Sequence, residues 1–282
     1  MRGRAHPVRV ENGLEYSPTT YAYIGDLFAI ALAAHVAGFV YFLLQRERLH
    51  PRYRLAATLS TLVMVSSGVL FARLAISWDQ AFELVDGVYV QADQLFAGQL
   101  RYVNWMVTVP ILLVQVLVVL DLTRRALVRL RVLLVAAGLA MVLTGYVGQF
   151  FLGDSTALAL LWGTISTVPF AALLVLLWPV LAQGARDLPG EAGVTYGHFR
   201  WVFLFFWGLY PIGYLFAALV VSPTGAALEQ TFFTAADIGS KVFYGVLLTK
   251  VARLRSAADG FTPAVDSRHP GDPEATSSQP TR

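Results

Sequence analysis

The sequence contains no cysteine, and only 14% of its 282 residues are Asp, Glu, Lys or Arg. Without cysteine the chain can form no disulfide, thiolate nucleophile or cysteine metal site. A soluble domain has about 25% charged residues, whereas 56% of this chain is hydrophobic and its mean hydropathy is +0.60. The composition therefore predicts a membrane protein, and the formal charge of +3 does not imply a nucleic-acid partner.

Long apolar runs take the place of the missing charge. Each can cross an apolar layer of ~30 Å as a helix, and none alternates strictly as the strands of a membrane barrel do. The sequence therefore predicts an all-α, seven-transmembrane-helix bundle, a multi-pass protein of the cell (plasma) membrane. The seven stretches are residues 21–44, 55–77, 96–120, 132–152, 157–182, 201–221 and 229–251.

Charge in the connections predicts the orientation of the bundle. Arginines are concentrated in two connections, and acidic residues in the alternate ones, so the positive-inside rule places the arginine-rich connections in the cytoplasm. The N-terminus is then outside and the C-terminus cytoplasmic, although Arg2, Arg4 and Arg9 oppose this assignment. The arginines are Arg46, Arg48, Arg52, Arg54, Arg124, Arg125, Arg129 and Arg131, and the acidic residues Asp79, Glu83, Asp86, Asp93 and Asp154.

The same pattern divides the chain into three parts. Residues 1–20 lack the apolar core of a signal peptide and are predicted to be an extracellular N-terminal segment. Residues 21–254 form the seven-helix domain. Residues 255–282 are rich in Pro, Ser, Asp and Gly and are predicted to be a disordered cytoplasmic tail.

Polar residues inside an apolar span are costly and point to function. In the third stretch Arg101, Asn104, Thr108 and Gln115 fall within about 60° on a helical wheel. They form one polar stripe along the helix. The stripe indicates a polar path through the protein rather than a lipid-facing surface.

The seventh stretch contains Asp237 and Lys241 one helical turn apart. Lys241 is one of only two lysines in the chain. The pair can be a structural ion pair. A lysine, however, can also lose its proton and form a Schiff base with an aldehyde, whereas an arginine would suit a purely structural pair better.

Aromatic residues in the sixth stretch share one helix face. Trp207, Tyr210 and Tyr214 fall within about 60° of each other, and Trp105 and Trp162 could add further sides. Such a wall is often simple core packing. Beside a lysine in the middle of the membrane, it favours a site for a flat, elongated apolar cofactor.

Together these features resemble the microbial (type 1) rhodopsin family. The resemblance extends over most of the chain, and its most specific motifs are Arg101-Tyr-Val-Asn-Trp-Met-Val-Thr-Val-Pro110, Trp207-Gly-Leu-Tyr-Pro211 and Asp237-Ile-Gly-Ser-Lys241. It implies all-trans retinal bound covalently to Lys241 as a protonated Schiff base, with Asp237 as the counterion and Arg101 as a gate. The retinal pocket that it implies consists of Trp105, Met141, Gly145, Trp162, Ser166, Phe170, Trp207, Tyr210, Pro211 and Tyr214.

Within the family, Asn104, Thr108 and Gln115 resemble the Asn-Thr-Gln motif of bacterial chloride-pumping rhodopsins. The resemblance implies a light-driven inward chloride pump rather than an enzyme. The charges of the site agree with a chloride pump. One carboxylate, Asp237, faces two cations, Lys241 and Arg101, and a chloride ion would balance the second cation. The predicted chloride ligands are Asn104, Thr108 and Ser66. The predicted ion path and gate consist of Arg101, Gln115 and Glu229. Glu229 is either paired with Arg101 or solvated.

Other interpretations of the sequence stay open. The protein could be a sensory or photochromic rhodopsin without net transport, or a pump for Na+ or H+. It could also be a retinal-free receptor or transporter in which Lys241 is structural. The resemblance further implies a homo-oligomer, a trimer or pentamer, and Gly163 weakly suggests a window to the lipid for a carotenoid antenna.

Overall fold

The computed structural model describes residues 11–151 and 155–263. Within these ranges the chain forms a bundle of seven continuous helical segments, which we call columns; α7 and α8 below belong to one column. The prediction of a seven-helix, all-α fold is confirmed. The helices are α1 (Pro18–Arg46), α2 (Arg54–Ala81), α3 (Leu100–Gln115), α4 (Arg124–Tyr146), α5 (Thr156–Asp187), α6 (Gly190–Leu219), α7 (Pro223–Asp237) and α8 (Tyr244–Ala258).

Two columns contain π-helical segments. α4 continues into Val147–Phe151, and Ile238–Phe243 joins α7 to α8. We call the continuous run 223–258 the seventh helix. π-Helical turns are rare and occur mostly at functional sites, and the one in the seventh helix contains Lys241.

The outer faces of the helices are apolar, as lipid requires. Five helical segments within the described residues are each long and apolar enough to cross a membrane. Val175 on α5 is 73% exposed and Phe205 on α6 63%. The prediction of a multi-pass membrane protein is confirmed.

A small β-hairpin closes one end of the bundle. β1 (Phe82–Val85) pairs antiparallel with β2 (Val88–Gln91) through a tight turn at Asp86 and Gly87, both at positive φ. Asp-Gly is a favoured pair for such a turn. We call this the hairpin end, and the opposite end, where α2 begins and α8 ends, the arginine end.

The segment before α1 packs against the hairpin instead of standing free. Tyr16 forms both backbone hydrogen bonds of a bridge with Tyr89, at 2.9 and 2.8 Å. The ring of Tyr21 stacks on Tyr89 with the centroids 3.7 Å apart. α1 starts at Pro18, capped by Ser17. The predicted N-terminal segment 1–20 therefore contributes its last ten residues to the fold.

α3 ends earlier than hydropathy predicts. The apolar stretch 96–120 led to an expectation of a full-length span, but the helix stops at Gln115 and residues 116–123 are irregular. Side chains of other helices satisfy the carbonyls that this break releases. The hydroxyl of Tyr196 donates to the Val116 carbonyl oxygen at 3.0 Å, and Arg255 donates to the Val119 carbonyl oxygen at 2.6 Å.

The seventh helix extends further than predicted. Residues 255–258, assigned to the disordered tail, are helical, so that part of the prediction is wrong. The reason is Arg255, which is only 6% exposed and also forms a salt bridge of 2.7 Å with Asp121. Residues 264–282 of the predicted tail lie outside the described residues.

Helix boundaries also correct the predicted connections. Arg124, Arg125, Arg129 and Arg131 lie in the first turns of α4, capped by Thr123, and not in a loop. They still lie at the arginine end. Of the other residues used for the orientation, Arg2, Arg4, Arg9 and Asp154 lie outside the described residues.

Arg255→Ala is expected to lower the free energy of unfolding by about 2 kcal/mol, because it leaves the buried carbonyl of Val119 without a donor. Thermal unfolding in detergent, followed by circular dichroism, should show a midpoint several degrees lower. Arg253→Ala is the matched control, since Arg253 is exposed on the same helix. Equal shifts in the two variants would contradict the role assigned to Arg255.

Candidate functional site

A buried ionic cluster lies between α3 and the seventh helix. Lys241 Nζ lies 2.6 Å from Asp237 Oδ1, and Arg101 Nη1 lies 2.9 Å from Asp237 Oδ2. All three side chains are at most 1% exposed. One carboxylate therefore joins two cations from different helices, as the family resemblance implied.

Aromatic donors complete the shell of Asp237. Trp105 Nε1 donates to Oδ1 at 2.9 Å, and the hydroxyl of Tyr210 donates to the same oxygen at 2.8 Å. Tyr210 also lies 2.9 Å from the hydroxyl of Ser240. Charge-assisted hydrogen bonds of this kind stabilise an ionised carboxylate, so the arrangement favours a fixed negative charge beside Lys241.

A glycine in the π-helical segment sets the distance between α6 and the seventh helix. A Cβ atom at Gly239 would lie 1.9 Å from the ring of Phe206. Any larger residue would therefore push the two helices apart. Lys241 is only two residues away, so this contact helps to fix its backbone.

Asn104 contacts Lys241 from the side of α3. Its Oδ1 accepts from Lys241 Nζ at 3.1 Å, and its Nδ2 donates to Ser66 Oγ at 2.8 Å. Ser67, which sequence reasoning missed, donates to Asn104 Oδ1 at 3.4 Å. The sequence signal for Ser67 was its position directly after Ser66. In the structure Ser67 is fully buried.

Two of the three predicted chloride ligands, Asn104 and Thr108, already use donors in other hydrogen bonds. Thr108 is fully buried, and its hydroxyl donates to the backbone oxygen of Asn104 at 3.0 Å. The amide hydrogens of Asn104 face Ser66 rather than Lys241. The structure brings the three residues together, and an anion here would have to take these donors over.

Gln115 lies towards the arginine end of the same stripe. Its Nε2 donates to the Ala56 backbone oxygen at 2.8 Å and to Ser60 Oγ at 2.5 Å. Its Oε1 is buried and has no partner among the described residues. Gln115 thus joins α3 to α2 at the point where α3 ends.

Glu229 lies near the hairpin end but is not solvated. It is 1% exposed, and its Oε1 accepts from Gln149 Nε2 at 2.6 Å. Arg101 forms its ion pair with Asp237 and donates its other hydrogen bonds to Gln230 Oε1 and Thr234 Oγ1, at 2.9 and 3.0 Å. The expectation of a solvated carboxylate is therefore wrong, and the pairing of Glu229 with Arg101 stays a prediction.

A cavity of about 520 Å3 lies between α3, α4, α5, α6 and α7. Trp105 and Tyr210 line it and also donate to Asp237, so one end of the cavity reaches the ionic cluster. Eight of the ten predicted pocket residues line the cavity: Trp105, Met141, Ser166, Phe170, Trp207, Tyr210, Pro211 and Tyr214.

Gly145 and Trp162 were also predicted to line the pocket, but they lie outside the cavity wall. A Cβ atom at Gly145 would lie 3.3 Å from the Tyr102 ring, and Trp162 packs where a Cβ atom of Gly148 would be. Both therefore fix how α4 meets its neighbours. Residues that line the cavity without having been predicted include Val109, Val142, Leu160, Gly163 and Phe233.

Comparisons with known proteins agree with this geometry. The model of the family described as "Bacteriorhodopsin-like protein" matches residues 23–254. The chain belongs to this family. Membership implies a retinal chromophore bound to a lysine, and a light-driven transporter or sensor rather than an enzyme.

Individual relatives cover most of the chain. A green-light absorbing proteorhodopsin from Gamma-proteobacterium EBAC31A08 is 24% identical over 83% of this chain and 88% of its own. The structure of xanthorhodopsin, titled a light-driven ion pump with dual chromophore, has a TM-score of 0.81 at 31% identity. That of a thermophilic rhodopsin has 0.82 at 34%. Both alignments cover 88% of this chain and 99% of the other.

The residues present fit a retinal group. The cavity volume falls in the range of about 300–1,000 Å3 found for small-molecule sites, and its wall is mostly aliphatic and aromatic. Lys250, the other lysine, forms an exposed salt bridge with Glu191 at 2.8 Å. Of the two lysines, only Lys241 is buried beside the cavity.

Proposed function

We propose that this protein is a light-driven inward chloride pump with all-trans retinal bound covalently to Lys241. The observation that carries the proposal is Asn104, whose neutral amide oxygen lies 3.1 Å from Lys241 Nζ. A carboxylate at this place would balance the second cation of the cluster. With an amide there, the balance around Lys241 calls for a mobile anion.

The charges in direct contact with Lys241 support a bound anion, but the net charge of the wider set of buried groups does not. In direct contact, Asp237 faces Lys241 and Arg101, which leaves one positive charge. Towards the hairpin end two more buried carboxylates, Glu11 and Glu229, reverse the sign of the wider network. The Coulomb energy falls with distance, so the nearest groups decide what binds beside Lys241.

Each residue then has a role in the proposed pump. When bound, retinal supplies the absorption of visible light and a change of shape that displaces the charged nitrogen of the lysine. Asn104, Thr108 and Ser66 offer amide and hydroxyl donors that bind a halide without titrating. Asp237 holds the lysine and Arg101 in place, and Gln115 provides a neutral polar step towards the arginine end.

The orientation of the chain is part of the proposal. The arginine end carries Arg46, Arg52 and the arginines of α4, and the hairpin end carries Asp86 and other acidic residues. By the positive-inside rule, the hairpin end is outside and the C-terminus cytoplasmic. Inward transport then moves chloride from the hairpin end past Arg101 towards Gln115.

Transport of another ion is the main alternative, and it fits the family equally well. The engaged donors of Asn104 and Thr108 favour it. A proton pump, however, would need an acidic group that accepts a proton from the Lys241 nitrogen. The carboxylate in contact with this nitrogen, Asp237, is also held in its charged form by Arg101 and by the hydroxyl of Tyr210, and the other direct partner is the Asn104 amide. Sensing without net transport is a second alternative.

Illuminated cells separate these functions. Cells that express the protein with added retinal are suspended in unbuffered N-methylglucamine chloride or sodium sulfate, with a protonophore present. A chloride pump makes the interior negative, so protons enter and the chloride medium turns alkaline. In sulfate the signal should vanish. A signal that persists in sodium sulfate with the protonophore present indicates a sodium pump. Acidification that appears only without the protonophore indicates a proton pump. No signal in either medium, with or without the protonophore, indicates a sensor.

Two partners stay proposals. The cavity wall between α5 and α6 includes the exposed residues Thr164, Val168 and Leu215 beside Gly163, which supports a carotenoid lying against it from the lipid. A Cβ atom at Gly163 would lie 2.7 Å from Tyr214, so close packing also explains this glycine. If the excitation spectrum of pigment reconstituted with retinal and carotenoid shows no carotenoid bands, the antenna is excluded.

The homo-oligomer is a separate proposal. A protein that is monomeric in native membranes would exclude it.

A further inference from the structure

Glu11 is a buried carboxylate that the sequence did not single out. It lies in the non-helical segment 11–17 before α1 and is only 3% exposed. Burying a carboxylate is costly unless hydrogen bonds compensate. Glu15, in the same segment, is exposed, which makes the burial of Glu11 specific.

Neighbouring residues hold Glu11 in place. Asn12 exchanges hydrogen bonds with the backbone of Phe96, accepting at 2.8 Å and donating at 3.3 Å. The hydroxyl of Tyr16 donates to the Glu11 backbone oxygen at 2.8 Å. Burial and the nearby carboxylate of Glu11 raise the pKa of the Tyr16 phenol, so this hydroxyl keeps its proton. The segment is thus fastened to the loop before α3.

A chain of hydrogen bonds leads from Glu11 to the ionic cluster. Gln230 Nε2 donates to Glu11 Oε1 at 3.1 Å, and Arg101 Nη2 donates to Gln230 Oε1 at 2.9 Å. Arg101 in turn pairs with Asp237. Only the oxygen of the Gln230 amide can accept a hydrogen bond from Arg101, and only its nitrogen can donate one to Glu11. Glu11 therefore fixes the orientation of Gln230.

Apolar rings enclose Arg101 elsewhere. Its guanidinium carbon lies 5.2 to 5.8 Å from the ring centroids of Phe28, Phe71 and Phe233. The side chain is 1% exposed. Besides Asp237, Arg101 donates to Gln230 and Thr234, and of these two residues Gln230 lies nearer the start of α7 at the hairpin end.

We propose that Glu11 and Gln230 form the outer gate of the ion path, with Glu11 as a positioning residue that holds Arg101 through Gln230. The inference rests on the proposed anion pump. A chloride ion from outside has to open the Glu11–Gln230 contact to reach Arg101, and it meets the negative charge of Glu11 as it does so.

The first test measures access to the site in the dark. Hydroxylamine, a small water-soluble reagent, cleaves the bond between lysine and retinal and bleaches the pigment. Glu11→Ala breaks the contact and should bleach about fivefold faster than the wild type. Glu11→Gln keeps an acceptor for Gln230 and should bleach at nearly the wild-type rate. Glu15→Ala, the exposed control, should leave the rate unchanged.

The second test separates charge from contact. Glu11→Gln removes the charge that repels the anion, so the half-saturating external chloride concentration should fall about fivefold at an unchanged maximal rate. Glu15→Gln removes a charge in the same segment and should change neither value. A purely structural role of Glu11 would lower the maximal rate instead and would overturn the proposal.

The two proposals can fail separately. Wild-type transport that does not depend on chloride would refute the anion pump, and the bleaching rates would still decide whether Glu11 is a gate. Glu11→Ala that bleaches at the wild-type rate would refute the gate for any transported ion. If Glu11→Ala yields no pigment, Gln230→Ala breaks the same contact from α7 and replaces it.

Discussion

Replacing Lys241 by alanine should abolish the visible absorption band completely. Nζ of Lys241 is the buried amine beside the cavity, and without it retinal has no group to bond to. The protein should still fold, because Asp237, the carboxylate that Lys241 contacts, remains paired with Arg101 and is therefore not left as an unpaired buried charge. The measurement is the absorption spectrum of purified protein after addition of all-trans retinal.

Lys250→Ala is the matched control, since it removes the only other lysine. Its salt bridge with Glu191 is exposed, and such pairs contribute about 0.2–1 kcal/mol. This variant should form pigment at the wild-type level. A visible band in Lys241→Ala would refute covalent attachment at this residue, and circular dichroism would confirm that the colourless variant is helical.

The sequence predicted those parts of the fold and site that follow from periodicity within one helix. Polar residues in apolar spans are few, so the stripe of Arg101 and Asn104 and the spacing of Asp237 and Lys241 were visible without coordinates. Both sets converge at Lys241. That α3 and the seventh helix face each other came from the family resemblance.

Helix ends could not be read from hydropathy. It marks only the part of a helix that contacts lipid, so α6 was expected to begin at residue 201, whereas it begins at Gly190. Capping residues are better signals of where a helix begins, as Thr123 before α4 and Ser222 before α7 show. The early end of α3 depends on Tyr196 and Arg255 from distant parts of the chain, which no local pattern can predict.

Contacts between segments distant in sequence were missed for the same reason. Glu11 and Gln230 are 219 residues apart, and neither has a pattern that links it to the other. Ser67 contacts the amide oxygen of Asn104, whereas its predicted neighbour Ser66 contacts the amide nitrogen. The hairpin is different, since Asp86-Gly87 between alternating apolar residues is a local signal that the charge pattern obscured.

Asn104→Asp is expected to abolish chloride transport, lowering the light-driven chloride signal at least about tenfold. The new carboxylate would lie where the amide oxygen now lies, 3.1 Å from Lys241 Nζ. Two acids would then face two bases around the lysine. A chloride ion would no longer be needed for balance and would be repelled from the site.

A halide titration of the purified pigments tests the same change without transport. The absorption maximum of the wild type should shift when chloride is replaced by sulfate, because the anion next to the lysine nitrogen is removed. Asn104→Asp should show the same spectrum in both salts. Ser67→Ala is the control, since it removes only the 3.4 Å contact to Asn104 and no charge, and it should keep the halide-dependent shift. Undiminished chloride transport in Asn104→Asp would mean that the missing carboxylate is not what makes this site bind an anion.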